Sequence, residues 1–563
     1  MTRRILTALL WASVLPGGWL AYQRAVEHPS PAEIASRHRS EREGSRTTGG
    51  AAFRDVTVDL GILSTHDNDA RGEFFIPEEM GPGVGLLDFD ADGDLDIFVA
   101  GGGPLLGDGP IHSAELWRND GSHFSEVAAE VGAAVPGHAY GVACGDVDAD
   151  GDLDVYLCRL GPDVYLRNEG GRFVDATGEA GLGQEGFATS AAFFDYDGDG
   201  LLDLYVANYL DWTPESDHDC FMSGVPDYCD PTSYDAAAQD RLYRNVDGRR
   251  FEDVTGSAGI EGNRGNGLGV CAADFDGDGR EDLYVANDAT PAMLWRNLGN
   301  GRFEDAALDT GCAYNALGVA ISGMGIACDD FDGDGKSDLV VTNIHGQSHL
   351  VLRNLGTHFV DVTMRSGVAS WSTPWTGFGT ALFDQDHDGD LDLFVTNGGV
   401  NLTPERIHDP EPYAEPDQFA RWDGERFVEV PGAVGAARLG AGRGLATGDL
   451  DGDGDLDLVL TNNGGGLQVL RNERAGDEGW LMVDVRTVGG GPALGSRVSV
   501  RTGDRWQQRT IRAQASYMSS SDPRAHFGLG VATQVDELLV RWPDGTERRL
   551  TAVPVNQVHM VVP

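Results

Sequence analysis

The chain has 563 residues, with 41 Lys plus Arg against 90 Asp plus Glu and a formal net charge of −49. So acidic a surface argues against nucleic acid as a partner, because binding it needs a basic footprint. The length allows several domains, and 79 glycines point to a chain rich in tight turns.

Residues 1–22 read as a signal peptide or an uncleaved signal anchor. Arg3 and Arg4 precede an uncharged stretch from Ile5 to Tyr22. Its 18 residues, interrupted at Pro16-Gly17-Gly18, sit at the lower edge of membrane-spanning length, so residues 5–22 are also the candidate membrane anchor. Neither an A-x-A cleavage motif nor a lipobox cysteine is evident. Residues 23–50 are polar and lack apolar periodicity, as a flexible linker does. The expected location is therefore outside the cytoplasm: periplasmic, cell-surface or secreted.

From residue 51 one nine-residue loop recurs seven times, most clearly as D-F-D-G-D-G-R-E-D over Asp274–Asp282. Carboxylates fall at loop positions 1, 3, 5 and 9. They are Asp88, Asp90, Asp92 and Asp96, then Asp146, Asp148, Asp150 and Asp154, then Asp195, Asp197, Asp199 and Asp203. The fourth loop supplies Asp274, Asp276, Asp278 and Asp282, and the fifth Asp330, Asp332, Asp334 and Asp338. The last two supply Asp384, Asp386, Asp388 and Asp392, and Asp449, Asp451, Asp453 and Asp457. Alternate residues of a tight loop can point at one centre, and hard oxygen donors in that number suit Ca²⁺, up to seven ions in all. Position 6 is always glycine, as a left-handed backbone there requires.

An EF-hand opens in the same way but needs a bidentate Glu at position 12 and flanking helices. Here position 12 is apolar throughout, from Val99 to Leu460, and each loop runs into a period-two segment such as Asp282–Asn287. The loops therefore belong to β-hairpins.

Each loop sits in a longer unit with an L-x-R-N element, as at Leu242–Asn245, and an F-x-D-V-T element, as at Phe251–Thr255. The first Phe element, at Phe53, has no L-x-R-N before it, and the last L-x-R-N, ending at Asn472, has no Phe element after it. Complementary half-units at the two ends imply a closed ring. With loops about 60 residues apart, the expected fold is all-β: a seven-bladed β-propeller with calcium-binding hairpin loops over 51–477. A small all-β domain over 478–563 follows, where ten Arg nearly balance eight Asp plus Glu and no such loop occurs.

The loop-and-strand motif and L-x-R-N resemble the FG-GAP and VCBS repeats of integrin-like propellers. The order of parts resembles the cartilage acidic protein family, including Ile76-Pro-Glu-Glu-Met-Gly-Pro-Gly-Val84 and Cys220-(x)₈-Cys229-Asp-Pro-Thr-Ser-Tyr234. Ala525-His-Phe-Gly-Leu-Gly530 and Val540-Arg-Trp-Pro-Asp-Gly545 are similar to the ASPIC/UnbV domain of that family, although Gly495-Ser496 stands where Gly-Ala is usual. The resemblance implies calcium at the aspartate loops and defines no biochemical role for the C-terminal domain.

Among seven cysteines, Cys220 and Cys229 lie in a polar insertion, where a disulfide would tie down a long loop in an oxidising compartment. Zinc is the alternative, with His218 nearby and poor ligand spacing. Cys144, Cys271 and Cys328, each just ahead of a loop, are expected as small buried thiols on inner strands. No catalytic motif is present, and an enzyme is the lesser expectation. The leading reading is an exported calcium-binding scaffold for a protein or glycan ligand. The alternatives are a calcium-dependent lyase or dehydratase acting on sugars, with aromatics drawn from Trp371–Trp375, or an accessory protein of a natural-product pathway.

Overall fold

The fourth repeat shows how the sequence builds a sheet around its loop. In the computed structural model, Gly267–Ala273 and Asp282–Asn287 pair with Ala273 opposite Asp282, leaving residues 274–281 as the hairpin connection. Met293–Gly299 and Arg302–Asp305 complete a four-stranded antiparallel meander. Side chains alternate between its two faces. Val270, Ala272, Leu283 and Val285 pack with Phe194 and Tyr205 of the preceding repeat. Cys271, Ala273, Tyr284 and Ala286 pack with Ile326 and Leu339 of the next. Burial on both faces explains the nearly continuous apolar run that follows each loop.

The structure describes residues 52–105, 111–434, 439–474, 476 and 478–563. The expected signal or anchor over 1–22 and the linker over 23–50 lie outside them. Meanders of the same order occupy 84–126, 326–361 and 377–429. Those over 139–175 and 185–253 join into one larger sheet, because Glu185–Phe187 pairs with Leu160–Pro162. The last meander takes its fourth strand from the other end of the domain: Phe53, Arg54 and Asp55 pair with Asn472, Arg471 and Leu470. The first strands of successive meanders touch in chain order, and Gly442–Gly448 touches Val84–Leu87.

The insertion before Arg241–Asn245 carries the Cys220–Cys229 disulfide. Its hairpin pairs Cys220–Met222 with Val225–Asp227, so the two sulfurs are bonded to each other and not held for zinc. Cys144, Cys158, Cys271, Cys312 and Cys328 are free and buried. Trp371 is buried too, its indole donating to the Phe427 carbonyl at 3.4 Å, which makes it core packing.

Residues 479–561 form two sheets around Leu481, Val483, Val498, Val500, Phe527 and Leu538. One orders Ala525–Gly530, Gly479–Val485 and Gln557–Val561, the last pair parallel. The other orders Arg505–Thr510, Arg497–Thr502, Gln534–Arg541 and Glu547–Pro554. In Arg505–Thr510 and Glu547–Pro554 charged residues break the apolar alternation that marks a strand in the sequence.

Phe53 is the latch between the two ends. Its ring stands edge-on to Phe394 and Phe419, with centroids 5.7 and 5.3 Å away. Phe53→Ala opens a cavity there and is expected to lower unfolding stability by about 3–5 kcal/mol. Denaturant unfolding of the full chain checks this, and a loss below about 1 kcal/mol would mean the end strand does not hold.

Candidate metal centres

Every aspartate loop is built by the same internal bonds. The position-1 carboxylate accepts from the main chain of its own loop: at Asp88, Asp92 N and Gly93 N donate at 3.1 and 3.0 Å. Asp274 accepts from Gly277 N and Gly279 N at 2.8 and 3.0 Å. The position-6 glycines have φ between 84° and 100°, as expected for their fixed place in the motif. Position 4 is left-handed as well, even when it is Ala91, Ala149 or His387 at φ 58°, 58° and 61°. Two left-handed residues in five wrap the chain around the position-1 carboxylate. The sequence pattern revealed only the first of them, because glycine is not required at the second.

This wrapping gathers the predicted ligands. One oxygen from each member of Asp88, Asp90 and Asp96 lies within 4.8 Å of the others. The same holds for Asp146, Asp148 and Asp150, for Asp195, Asp197 and Asp199, and for Asp274, Asp276 and Asp278. Oxygens bound at 2.3–2.6 Å to one Ca²⁺ are at most about 5 Å apart, so these groups fit a single ion. The donors are all hard oxygens, without thiol or imidazole, which suits Ca²⁺ over softer metals. Asp148 Oδ1, Asp338 Oδ2 and Asp384 Oδ1 are buried and have no hydrogen-bond partner within the protein.

Position 9 does a second job. Asp282 is buried, and Oδ1 accepts from Asn297 N at 2.7 Å while Oδ2 accepts from Phe275 N at 3.2 Å. Asp96, Asp154 and Asp203 repeat both contacts. Burial pushes Asp96, Asp154, Asp203, Asp282, Asp338 and Asp392 up to about 8, against the pull of those amides. Asp146, Asp330 and Asp449 are pushed up to about 6 and Asp384 to about 7, again mainly by burial. A bound cation reverses this penalty by favouring the ionised form.

The L-x-R-N element explains its own spelling. The asparagine reaches across to the preceding repeat: Asn354 Nδ2 donates to the Phe275 carbonyl at 2.9 Å and to Ser337 at 3.1 Å. Asn119 donates in the same way to Leu450 at 2.9 Å, linking the first repeat to the last. In the sixth unit Trp422 replaces the asparagine and packs on Phe331 instead, ring centroids 5.3 Å apart. In four repeats the arginine lies against the loop carboxylates, whereas Arg118, Arg167 and Arg296 pair with Asp120, with Glu169 and Glu179, and with Glu304. Arg244 meets Asp197 at 2.9 Å and Asp199 at 3.5 Å, Arg421 meets Asp386 at 2.9 Å, and Arg471 meets Asp451 at 3.0 Å. These partners were legible in principle as an Arg recurring after each loop, one residue ahead of the asparagine or its replacement.

The C-terminal domain covers the face that carries the loops. Arg497 Nη2 is 2.9 Å from Asp274 Oδ2, and Arg505 Nη1 donates to the Asp388 carbonyl at 2.7 Å. Gln508 reaches the Gly335 carbonyl at 3.2 Å, and His526 Nε2 that of Gly454 at 3.0 Å. A polar cavity of about 120 Å³ remains between the domains, bordered by Asp384, Arg509, Arg512, Asp522 and His526.

Comparison with known proteins agrees with this anatomy. The FG-GAP-like repeat matches residues 88–157, 159–206, 274–324 and 330–395, and the FG-GAP repeat matches 441–477. The ASPIC and UnbV family matches 489–563. The chain carries FG-GAP repeats followed by an ASPIC and UnbV domain, in an all-β fold. Over about half its length it is similar to cartilage acidic protein 1. The Homo sapiens protein is 30% identical over 320 residues, covering 55% of this chain and 46% of the relative. The Xenopus tropicalis protein is 31% identical over 291 residues, covering 50% and 42%. The chain thus spans about half the length of the curated relatives it matches. The solved structure of YCF48 bound to D1 peptide aligns with a TM-score of 0.41 and 6% identity, over 75% of this chain and 96% of that one. That likeness is too loose to bear on function.

Asn354→Ala leaves the Phe275 and Ser337 carbonyls without this donor, and is expected to cost about 1–3 kcal/mol. Arg353→Gln, which loses the ion pairs of a half-exposed Arg353 to Asp332 and Asp334, is expected to cost under about 1 kcal/mol. Denaturant unfolding of both variants checks the contrast. Equal losses would contradict the strut role of the asparagine.

Proposed function

We propose that the chain is an exported, calcium-binding seven-bladed β-propeller that serves as a recognition scaffold for a protein or glycan in the periplasm or at the cell surface. The observation that carries this reading is the repeated carboxylate cradle, in which three hard oxygen donors share one centre. Each ion would be held by positions 1, 3 and 5 of its loop, with position 9 at the base. The ion's role there is charge balance and loop shape. Extracellular-type sites of Ca²⁺ affinity near 10⁻⁴ to 10⁻³ M need the calcium of an exported location. The Cys220–Cys229 disulfide fits the same oxidising compartment.

A scaffold is favoured over a channel-mouth enzyme by what fills the axis. Ile76 and Met80 from one end and Tyr517 and Met518 from the other share an apolar cluster with Met324 and Phe378. Recognition then falls to the rim and outer surface of the face opposite the aspartate loops.

Calcium removal supplies the test. A site with Kd near 10⁻⁴ M in about 10⁻³ M calcium contributes roughly 1.4 kcal/mol of folding stability. Excess chelator is expected to lower the melting temperature steeply. Asp276→Ala with Asp278→Ala is expected to remove about one site's share, roughly 1–2 kcal/mol. Thermal unfolding with metal analysis checks both. An unchanged melting curve in calcium-free protein would rule out structural calcium.

A further inference from the structure

In the C-terminal domain, residues 511–524 link the strands Arg505–Thr510 and Ala525–Gly530. They fold back as a narrow loop, with an antiparallel bridge between Gln514 and Ser520 and with Ser521 N donating to Ala513 O at 2.8 Å. They run along the axis about which the first strands of the meanders are arranged, and they bond to all seven of those strands. Arg512 donates to the Ala272 and Cys328 carbonyls. Gln514 accepts from Phe193 N at 3.3 Å and donates to the Cys144 carbonyl at 2.7 Å. Ser516 exchanges main-chain bonds with Ile326, and its hydroxyl accepts from Thr380 N at 3.0 Å. Met518 O accepts from Val142 N at 3.0 Å, and Ser520 N donates to Val84 O at 2.9 Å. Ser521 Oγ accepts from Thr447 N at 3.1 Å.

These contacts answer a need of the ring itself. Where it lines the axis, the first strand of each meander is paired on one side only, and in Glu185–Phe194 the second pairing, to Leu160–Pro162, stops at Phe187; the free N–H and C=O groups turn to the axis. Buried backbone groups without partners are costly, and one segment supplies partners to every strand. It does so in a costly backbone form: Ser516 and Met518 lie at φ 78° and 54°, in the left-handed region that non-glycine residues enter only when their surroundings dictate it. Tyr517, between them, is fully buried and donates to the Met80 carbonyl at 3.2 Å from the far end of the axis.

We propose that residues 512–522 act as an axle. The ring carries this segment as an internal ligand, and the ring and the C-terminal domain fold and persist only as one unit. The ASPIC and UnbV domain is thus the ring's built-in assembly partner, independently of whether the loops hold calcium.

A protease site inserted between residues 474 and 479 of the full chain tests this after folding and cleavage, with calcium present throughout. The two fragments are expected to co-elute in gel filtration at micromolar concentration and to unfold in one calorimetric transition. Separation of the fragments, or two transitions, would overturn the proposal. Ser516→Pro in the uncut chain removes the N–H bonded to Ile326 and forbids the left-handed backbone. Hydrogen exchange at Ile326, Thr380 and Val142 is expected to speed up at least tenfold, with the Val531→Ser surface variant unchanged. Wild-type exchange rates at those amides in Ser516→Pro would equally overturn it.

Discussion

The contact on which the architecture depends is the buried carboxylate at the ninth position of each loop. In six of the seven loops it accepts from its own loop on one oxygen and from the third strand on the other, as Asp282 does with Phe275 and Asn297, and Asp338 keeps the third-strand contact alone. The asparagine that donates to it extends its side chain to the neighbouring repeat, so Asn297 also reaches the Tyr196 carbonyl at 2.9 Å. Each loop is thereby fixed to its own sheet and to the sheet beside it. A buried, multiply bonded carboxylate is unforgiving, because losing one partner leaves others unsatisfied. That explains why the aspartate and the asparagine recur together, and why Trp422 in the sixth unit comes with a different packing solution.

The same loops concentrate negative charge on one face of the molecule. Recurring arginines lie against part of it, as Arg244 and Arg471 show, and the C-terminal domain adds Arg497 from above. Exposed or half-exposed pairs of this sort contribute little stability singly. Their effect is to lower repulsion around carboxylates that burial already raises, while leaving oxygens such as Asp148 Oδ1 and Asp384 Oδ1 without a protein partner. Calcium completes that charge balance in the function proposed.

Much of this was legible in the sequence because it is written in short-range chemistry. The loop spacing, the position-6 glycines and the hairpin after each loop follow from local dihedral and pairing rules, and the Phe53 half-unit pointed to Asn472. The Cys220–Cys229 bond was legible from spacing and context. What escaped notice depends on distance in sequence. The partners of L-x-R-N lie about eighty residues away, as Asn354 and Phe275 do. Residues 512–522 carry no motif, and nothing local announces that their polar groups bond to strands hundreds of positions earlier. The sequence also presented the C-terminal domain as a separate module, because its interface is made of scattered Arg, Gln and His contacts with no pattern of their own.

Calcium stoichiometry tests the central claim most directly. Native mass spectrometry of the full chain across graded free calcium should show a ladder of bound ions rising towards seven, with Asp276→Ala/Asp278→Ala stopping one short. Retention of no calcium at millimolar concentration, or a single ion unaffected by that double substitution, would contradict the account.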